Sequence, residues 1–128
     1  MLGKTATVTA AVTSENTAGA VGSGSLEVFA TPMMAALMER AACACLADGL
    51  APGQTSVGTH ICVDHVAASP LGMEVAATAT VTAVHGRSVE FEVYARDDVE
   101  EVGRGRHVRV IVDEERFMGK ARAKGAGL

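Results

Sequence analysis

The sequence predicts an α+β fold in which one long central helix packs on an antiparallel β-sheet of about five strands. Three observations predict it. One long apolar segment lies between a helix-start and a helix-stop signal, five segments alternate with period two, and turns of hairpin length join the last four of them. The 128 residues match the usual size of one domain, so we expect a single domain over residues 1–128.

A Gly/Ser-rich segment separates the first strand from the long helix. Residues 5–12 alternate threonine with alanine or valine, which predicts a strand with one packed face. Residues 18–25 predict a flexible loop. Thr31 followed by Pro32 is typical of a helix N-cap, and Gly49 is typical of a helix end. Because the segment between them is apolar on most of its circumference, we expect a buried helix.

Four strands are predicted after the helix. The first has an apolar face that carries Val57, Thr59, Ile61, Val63 and His65. The next two, at residues 75–83 and 88–95, meet at a tight hairpin over residues 85–87. An acidic turn at residues 97–101 leads to the last strand. One helix covers only one face of such a sheet and leaves its edges open, so we expect a homodimer.

The end of the chain is basic. In the last strand we expect Val108, Val110 and Val112 on the inner face, which places Arg109 on the opposite face. The final dozen residues predict a loose tail or a short terminal element. Residues 104–128 hold seven Lys/Arg against three acidic residues. A solvated charge run is the plainer interpretation, and a site for a phosphate-bearing ligand is the alternative.

Composition excludes several classes of function. A net charge of −4 and only 3% aromatic residues argue against nucleic-acid binding. No apolar run is long enough for a membrane span or a signal peptide. The three cysteines form no C-x-x-C pair, so we expect neither a disulfide framework nor a zinc site, and a cytoplasmic protein. His60 and Asp64 share a strand face but lie roughly 13 Å apart, too far to chelate one metal ion.

Glu39 is an anomaly on the predicted helix. At 100° per residue it falls between Leu46 and Cys43 in an apolar arc, away from Arg40 and Asp48. A carboxylate in such a place is either paired or held in a pocket of low dielectric. The alternative is that this arc is a shallow, partly wet flank of the helix.

His65 and Thr31 are the other two candidates. His65 ends the apolar face of its strand and so faces the helix, where a structural histidine is the common case. Together with Glu39 on the facing element, however, it supplies the parts of an acid–base pair. Thr31 is first of all a helix cap, although its hydroxyl could also face a pocket. Thr31 and Glu39 lie about 12 Å apart along a regular helix, so both reach one substrate only if the helix start is irregular or two chains share the site.

Together with several short motifs, these residues indicate a resemblance to a known protein family. The chain resembles hotdog proteins, and within them the fluoroacetyl-CoA thioesterase-like branch of hotdog thioesterases. The resemblance covers nearly the whole chain. It rests on Thr31 with Glu39 eight residues later, Ser56-Val57-Gly58-Thr59-His60, His65 in the segment 64–72, Gly103-x-Gly105-x-His107-x-Arg109, and Glu115-Arg116-Phe117. It differs at residues 22–25, which read Gly-Ser-Gly-Ser where a fluoroacetyl-specialised member would carry aromatic lid residues.

The resemblance implies a catalytic set of Thr31, Glu39 and His65, with Gly58 lining the acyl site and Arg109 at the ligand site. It implies hydrolysis of an acyl-CoA thioester, expected to be short-chain, by a homodimer that needs no cofactor or metal. Glu39 acts as nucleophile or general base, and His65 manages the proton of the leaving thiol. Two alternatives remain open: a non-catalytic module that binds acyl-CoA or a small acid, and a hotdog hydratase or dehydratase.

Overall fold

A computed structural model describes residues 1–127, so Leu128, the last residue of the predicted domain, lies outside the described residues. The elements follow as β1 (Thr5–Ala11), α1 (Ala18–Val21), α2 (Thr31–Leu46), β2 (Gln54–His65), β3 (Glu74–His85), β4 (Ser88–Arg96), β5 (Glu101–Asp113) and α3 (Glu114–Ala126). A 3-10 turn, Ala47–Gly49, continues α2 to the predicted stop. No helix among residues 1–127 is long and apolar enough to cross a membrane.

The strands form one antiparallel sheet in the order β1-β3-β4-β5-β2, which confirms the predicted α+β architecture. The predicted hairpin is a two-residue connection between β3 and β4, and Gly86 adopts the φ of +63° that such a turn requires. In this sheet β1 and β2 are the two edges. Among residues 1–127, the twelve-residue β2 pairs only with β5, and its other edge is open.

Helix α2 packs across the sheet and supplies a large share of the core. Its buried side chains are Met34, Leu37, Met38, Ala41, Ala42, Cys45 and Leu46. At Gly103 a Cβ would lie 2.5 Å from the sulfur of Met34, so the missing side chain lets the helix approach β5 closely. Since Cys43 and Ala44 are exposed, the helix is buried on one face only, not around most of its circumference as its composition predicts.

Two terminal or connecting segments differ from the prediction. The predicted loop at residues 18–25 contains α1, whose first turn is capped by the Thr17 hydroxyl accepting from the Ala20 amide at 3.3 Å. The basic end of the chain is a thirteen-residue helix, α3, rather than a loose tail. All of its described side chains are exposed, and acidic residues at its start and a lysine near its end suit the helix dipole.

A β-bulge in β2 alters which side chains face the helix. The pairing with β5 shifts register between Gly58 and His60, so Thr59 is an extra residue. Past the bulge, Ile61, Val63 and His65 face α2 as predicted. Before it the alternation is inverted, because Gly58 and not Val57 lies on the helix side. The prediction that Val57 and Thr59 share the face of His65 is therefore wrong.

Candidate active site

The beginning of α2 and the end of β2 meet at Thr31 and His65. The Thr31 hydroxyl and the Nδ1 atom of His65 are 2.8 Å apart, within hydrogen-bond distance. The predicted capping role of Thr31 is wrong. Ala30, in extended conformation, is the N-cap, and its carbonyl accepts from the Met33 and Met34 amides. Because Thr31 already lies inside the helix, its hydroxyl is available to orient the imidazole.

His65 presents its second ring nitrogen to the interior without a partner. The Nε2 atom is buried and has no hydrogen-bond partner among the described residues. Burial lowers the pKa of His65 below its ordinary value, against a smaller opposing effect of the Ala67 backbone. A neutral imidazole with one nitrogen held and the other unengaged is suited to accept or donate a proton.

A cavity of about 620 Å³ opens beside this pair. Its walls come from residues 23–26, Phe29 and residues 66–68, together with Thr31 and His65 themselves. Residues 23–25 contribute only serine and glycine, so the wall nearest α1 is built from small side chains.

Glu39 lies two helical turns further along α2, where it meets β2 and β5. Its Oε2 atom accepts a hydrogen bond from Nη1 of Arg109 at 3.0 Å, and 42% of its side chain is exposed. The carboxylate rests on Gly58, where a Cβ would lie 2.6 Å from Oε2. Of the expectations for Glu39, pairing is therefore the one observed, on a half-exposed flank of the helix.

Arg109 points toward the helix, which corrects the prediction that it lies on the opposite face. It is only 7% exposed and stands opposite Val89 of the core in the β4–β5 register. Its Nε donates to the Ser56 hydroxyl at 2.8 Å, and its Nη2 donates to the Ser56 carbonyl at 3.1 Å. The valines at 108, 110 and 112 take the outer face instead. The valines suggest the wrong inner face for β5, because that face carries a polar side chain at the point where Glu39 requires a partner.

Two residues of this cluster, Ser56 and His107, were not predicted as site residues from the sequence. Ser56 holds Arg109, and His107 is 1% exposed with its Nε2 atom 3.2 Å from Nη1 of Arg109. Burial is the largest cause that lowers the pKa of His107, and the neighbouring Arg109 charge adds to it, while the His60 carbonyl opposes it. Both residues belong to the quoted motifs, so the signal was present in the S-V-G-T-H segment at residues 56–60 and in the G-x-G-x-H-x-R segment.

The five candidate residues thus fall into two groups within one chain. Thr31 contacts His65, whereas Glu39 contacts Arg109 and rests on Gly58. Among residues 1–127 no hydrogen bond or ion pair joins the groups, and Gly58 and His65 are about 20 Å apart at the rise of a strand. Residues 1–127 also contain no cluster of three or more His, Cys, Asp or Glu side chains that could hold a metal ion.

Comparisons with known proteins agree on one family. Residues 12–115 match the family described as fluoroacetyl-CoA-specific thioesterase. A fluoroacetyl-CoA thioesterase from Streptantibioticus cattleyicolor is 46% identical over 98 residues, which cover 77% of this chain and 70% of that protein.

Solved structures show the same relationship. A variant of the fluoroacetyl-CoA thioesterase in complex with acetyl-CoA is 38% identical, with a TM-score of 0.91 over 97% of this chain and 98% of that one. A hot-dog-like protein from Thermanaerovibrio acidaminovorans is 25% identical, with a TM-score of 0.87 over 96% of this chain and 91% of that one. The predicted resemblance is confirmed: the chain has the hotdog fold and belongs to the fluoroacetyl-CoA-specific thioesterase family.

Proposed function

We propose that this protein hydrolyses a short-chain acyl-CoA thioester at a site shared by two copies of the chain. The proposal assigns catalysis to Thr31, Glu39 and His65, and places Gly58 and Arg109 beside the bound ligand. The observation that carries it is the buried, unpartnered Nε2 of His65 at the wall of a cavity, with Thr31 holding the other ring nitrogen. Membership of a thioesterase family supports the reaction type.

The chemistry follows from these groups. Water adds to the thioester carbonyl, the C–S bond breaks, and the leaving thiolate takes a proton to give a carboxylic acid and the CoA thiol. Glu39 either removes a proton from that water or attacks the carbonyl carbon itself, and both routes give the same products. His65 delivers the proton to the thiolate. Backbone N–H groups near Gly58 stabilise the negative charge that develops on the carbonyl oxygen.

A second copy of the chain can bring the two groups of site residues together. The open edge of β2 can pair antiparallel with the same strand of a second copy about a twofold axis. Residues directly opposite each other in such a pair lie on the same face of the sheet. An axis at Cys62 meets this condition, because it sets Cys62 opposite its own copy and Ile61 opposite Val63. Thr59, the extra residue of the bulge, has no residue opposite it, so His65 of one copy lies opposite Gly58 of the other.

This arrangement completes the site. Within each chain the carboxylate of Glu39 lies against the backbone of Gly58. The Glu39 carboxylate of one copy therefore approaches the Thr31–His65 pair of the other. The dimer therefore has two equivalent sites, each with Thr31 and His65 from one chain and Glu39, Gly58 and Arg109 from the second.

The cavity beside His65 supports the substrate class. The relative in complex with acetyl-CoA holds a short acyl thioester. In this chain the part of the cavity wall formed by residues 23–25 is serine and glycine and carries no aromatic side chain. The proposal therefore covers unsubstituted short acyl groups and does not specify a fluorinated one. We also propose a cytoplasmic location, because all three cysteines are free thiols.

A panel of acyl-CoAs with chains of two to eight carbons tests the function, with release of free thiol as the measurement. We expect hydrolysis with a preference for the short members. Glu39→Gln should lower kcat at least ~100-fold, whereas the control Glu92→Gln, on the exposed face of β4, should leave it unchanged. Binding of acyl-CoA without thiol release would establish a binding module instead, and water addition to an enoyl-CoA would establish a hydratase.

A further inference from the structure

A hydrogen-bonded chain runs behind Glu39 from β2 to α2. It consists of the His60 carbonyl, the imidazole of His107, the guanidinium of Arg109 and the Glu39 carboxylate. We propose that His107 is a positioning residue for the hydrolysis: its neutral ring accepts a hydrogen bond from Arg109 and thereby fixes the Arg109 Nη1 atom against Glu39. This inference rests on the proposed role of Glu39.

The geometry at His107 determines its tautomer. Nδ1 lies 2.7 Å from the His60 carbonyl oxygen, which only accepts hydrogen bonds, so Nδ1 carries the proton and donates it. Nε2 lies 3.2 Å from Nη1 of Arg109, which only donates. Both contacts are satisfied at once only by the neutral ring with its proton on Nδ1. The Phe91 ring stacks at a centroid distance of 6.0 Å and fixes the plane of the imidazole.

Arg109 needs a constraint on this side. Ser56 engages Nε and Nη2 and so holds one edge of the guanidinium. Nη1 donates to Glu39, and the only second acceptor that it contacts among the described residues is Nε2 of His107. With both edges held, Nη1 meets Oε2 of Glu39 in one fixed orientation. No hydrogen bond within residues 1–127 engages the other carboxylate oxygen, Oε1, which is left to face substrate or water.

Protonation of His107 would break this chain. A proton on Nε2 would face the N–H of Arg109, and the new positive charge would oppose the guanidinium. Three charged or titratable groups surround the ring: Arg109 on its own strand, Glu39 on α2 with its Oε2 3.9 Å from Nε2, and His60 on β2. Burial of the ring lowers the pKa of His107 and so favours its neutral form.

Two amide variants separate the contacts of His107. The amide of His107→Gln reaches the position of Nε2 and supplies an oxygen to Arg109, whereas the amide of His107→Asn reaches only the position of Nδ1. Both variants lose the ring that packs on Phe91, so their melting temperatures should fall by similar amounts. We expect kcat to fall roughly 10- to 100-fold in His107→Asn, with KM changed less than about 3-fold, and to stay within about 3-fold of wild type in His107→Gln.

Nitrogen-15 NMR of the histidine side chains tests the contact without an activity assay. At pH 8 we expect His107 to show a protonated Nδ1 and an unprotonated Nε2, and His107→Phe assigns the signal. A protonated Nε2, or equal kcat in the Gln and Asn variants, would overturn the role of His107. A wild-type protein that hydrolyses no thioester would overturn the proposed function instead, and the NMR result would still decide whether His107 accepts from Arg109.

Discussion

At the scale of single residues, the two halves of the site were predictable to different degrees. The anomaly of Glu39 on the helical wheel and the position of His65 at a strand end both pointed to real contacts. The partner of Glu39 was not predictable, because Arg109 sits between valines that were assigned to the inner face. An ion pair between a buried guanidinium and a half-exposed carboxylate inverts the usual assignment, since the two groups must lie on the same side of the sheet to meet.

Gly58 gives the first prediction at this scale. In Gly58→Ala the new Cβ would lie 2.6 Å from Oε2 of Glu39 and 3.2 Å from Nη1 of Arg109. The flexible end of Glu39 yields more easily than the backbone, so the fold should persist while the carboxylate is displaced. We expect kcat to fall roughly 10- to 100-fold. The melting temperature should stay within a few degrees of wild type, which corresponds to a change on the order of 1 kcal/mol in the free energy of unfolding.

Gly119→Ala is the matched control for this variant. The same methyl group meets nothing within 4 Å on the exposed helix α3, so it should leave kcat unchanged and stabilise the helix by up to about 1 kcal/mol. Full activity of Gly58→Ala would show that the carboxylate does not act from the position it occupies on Gly58.

At the scale of elements, hydrophobic periodicity predicted the helix, the five strands and the β3–β4 hairpin, because each is set by local sequence. The orientation of β2 was not predictable along its whole length. One extra residue at Thr59 reverses the alternation, and no composition signal marks it. That bulge allows Gly58 and His65, seven positions apart, to lie on the same face of the strand.

Strands β2 and β5 give a prediction about pH. Burial lowers the pKa values of His65 and His107 below the ordinary value of 6.5 in the folded chain. Below pH 6.5 the unfolded chain therefore binds more protons than the folded one. The free energy of unfolding should be highest above this pH and fall as the pH drops toward the lowered values.

Urea unfolding at fixed protein concentration, at pH 7.5 and at pH 5.5, measures this loss. His107→Gln should reduce the difference between the two pH values, because one of the two contributing groups is removed. The control His85→Gln, at the exposed end of β3 where the side chain contacts Glu90, should leave the difference close to that of the wild type. A stability that rises toward pH 5.5 would contradict the burial of neutral imidazoles.

At the scale of the whole molecule, the sequence predicted the need for a second copy from one helix and two open edges. It could not predict which edge pairs, because both edge strands alternate. In the proposed dimer, the separation of the Thr31–His65 pair from Glu39 favours pairing through the β2 edge. Sedimentation should therefore give a dimer of about twice the 13.1 kDa chain at micromolar concentration, and a stable monomer would contradict the shared site.

The proposed axis at Cys62 predicts a cross-link. Residues directly opposite in an antiparallel pair have Cα atoms about 4.5 to 5.5 Å apart, within the range of disulfides. Mild oxidation should give a covalent dimer that Cys62→Ser abolishes. The control Cys43→Ser, which removes the exposed thiol of α2, should leave the cross-link intact. A cross-link that depends on Cys43 would place the two chains helix to helix instead.

Complementation between two inactive variants tests the shared site most directly. Chains carrying Glu39→Gln are unfolded and refolded together with chains carrying His65→Gln, and the formation of mixed dimers is checked by mass. Each mixed dimer keeps one intact site if Glu39 of one copy works with His65 of the other. Since half of the dimers are mixed, activity should recover to about a quarter of wild type. A mixture of Thr31→Ala with His65→Gln should stay inactive, because those residues come from the same chain. Failure of the first mixture to recover activity, with mixed dimers present, would contradict a site shared between the two chains.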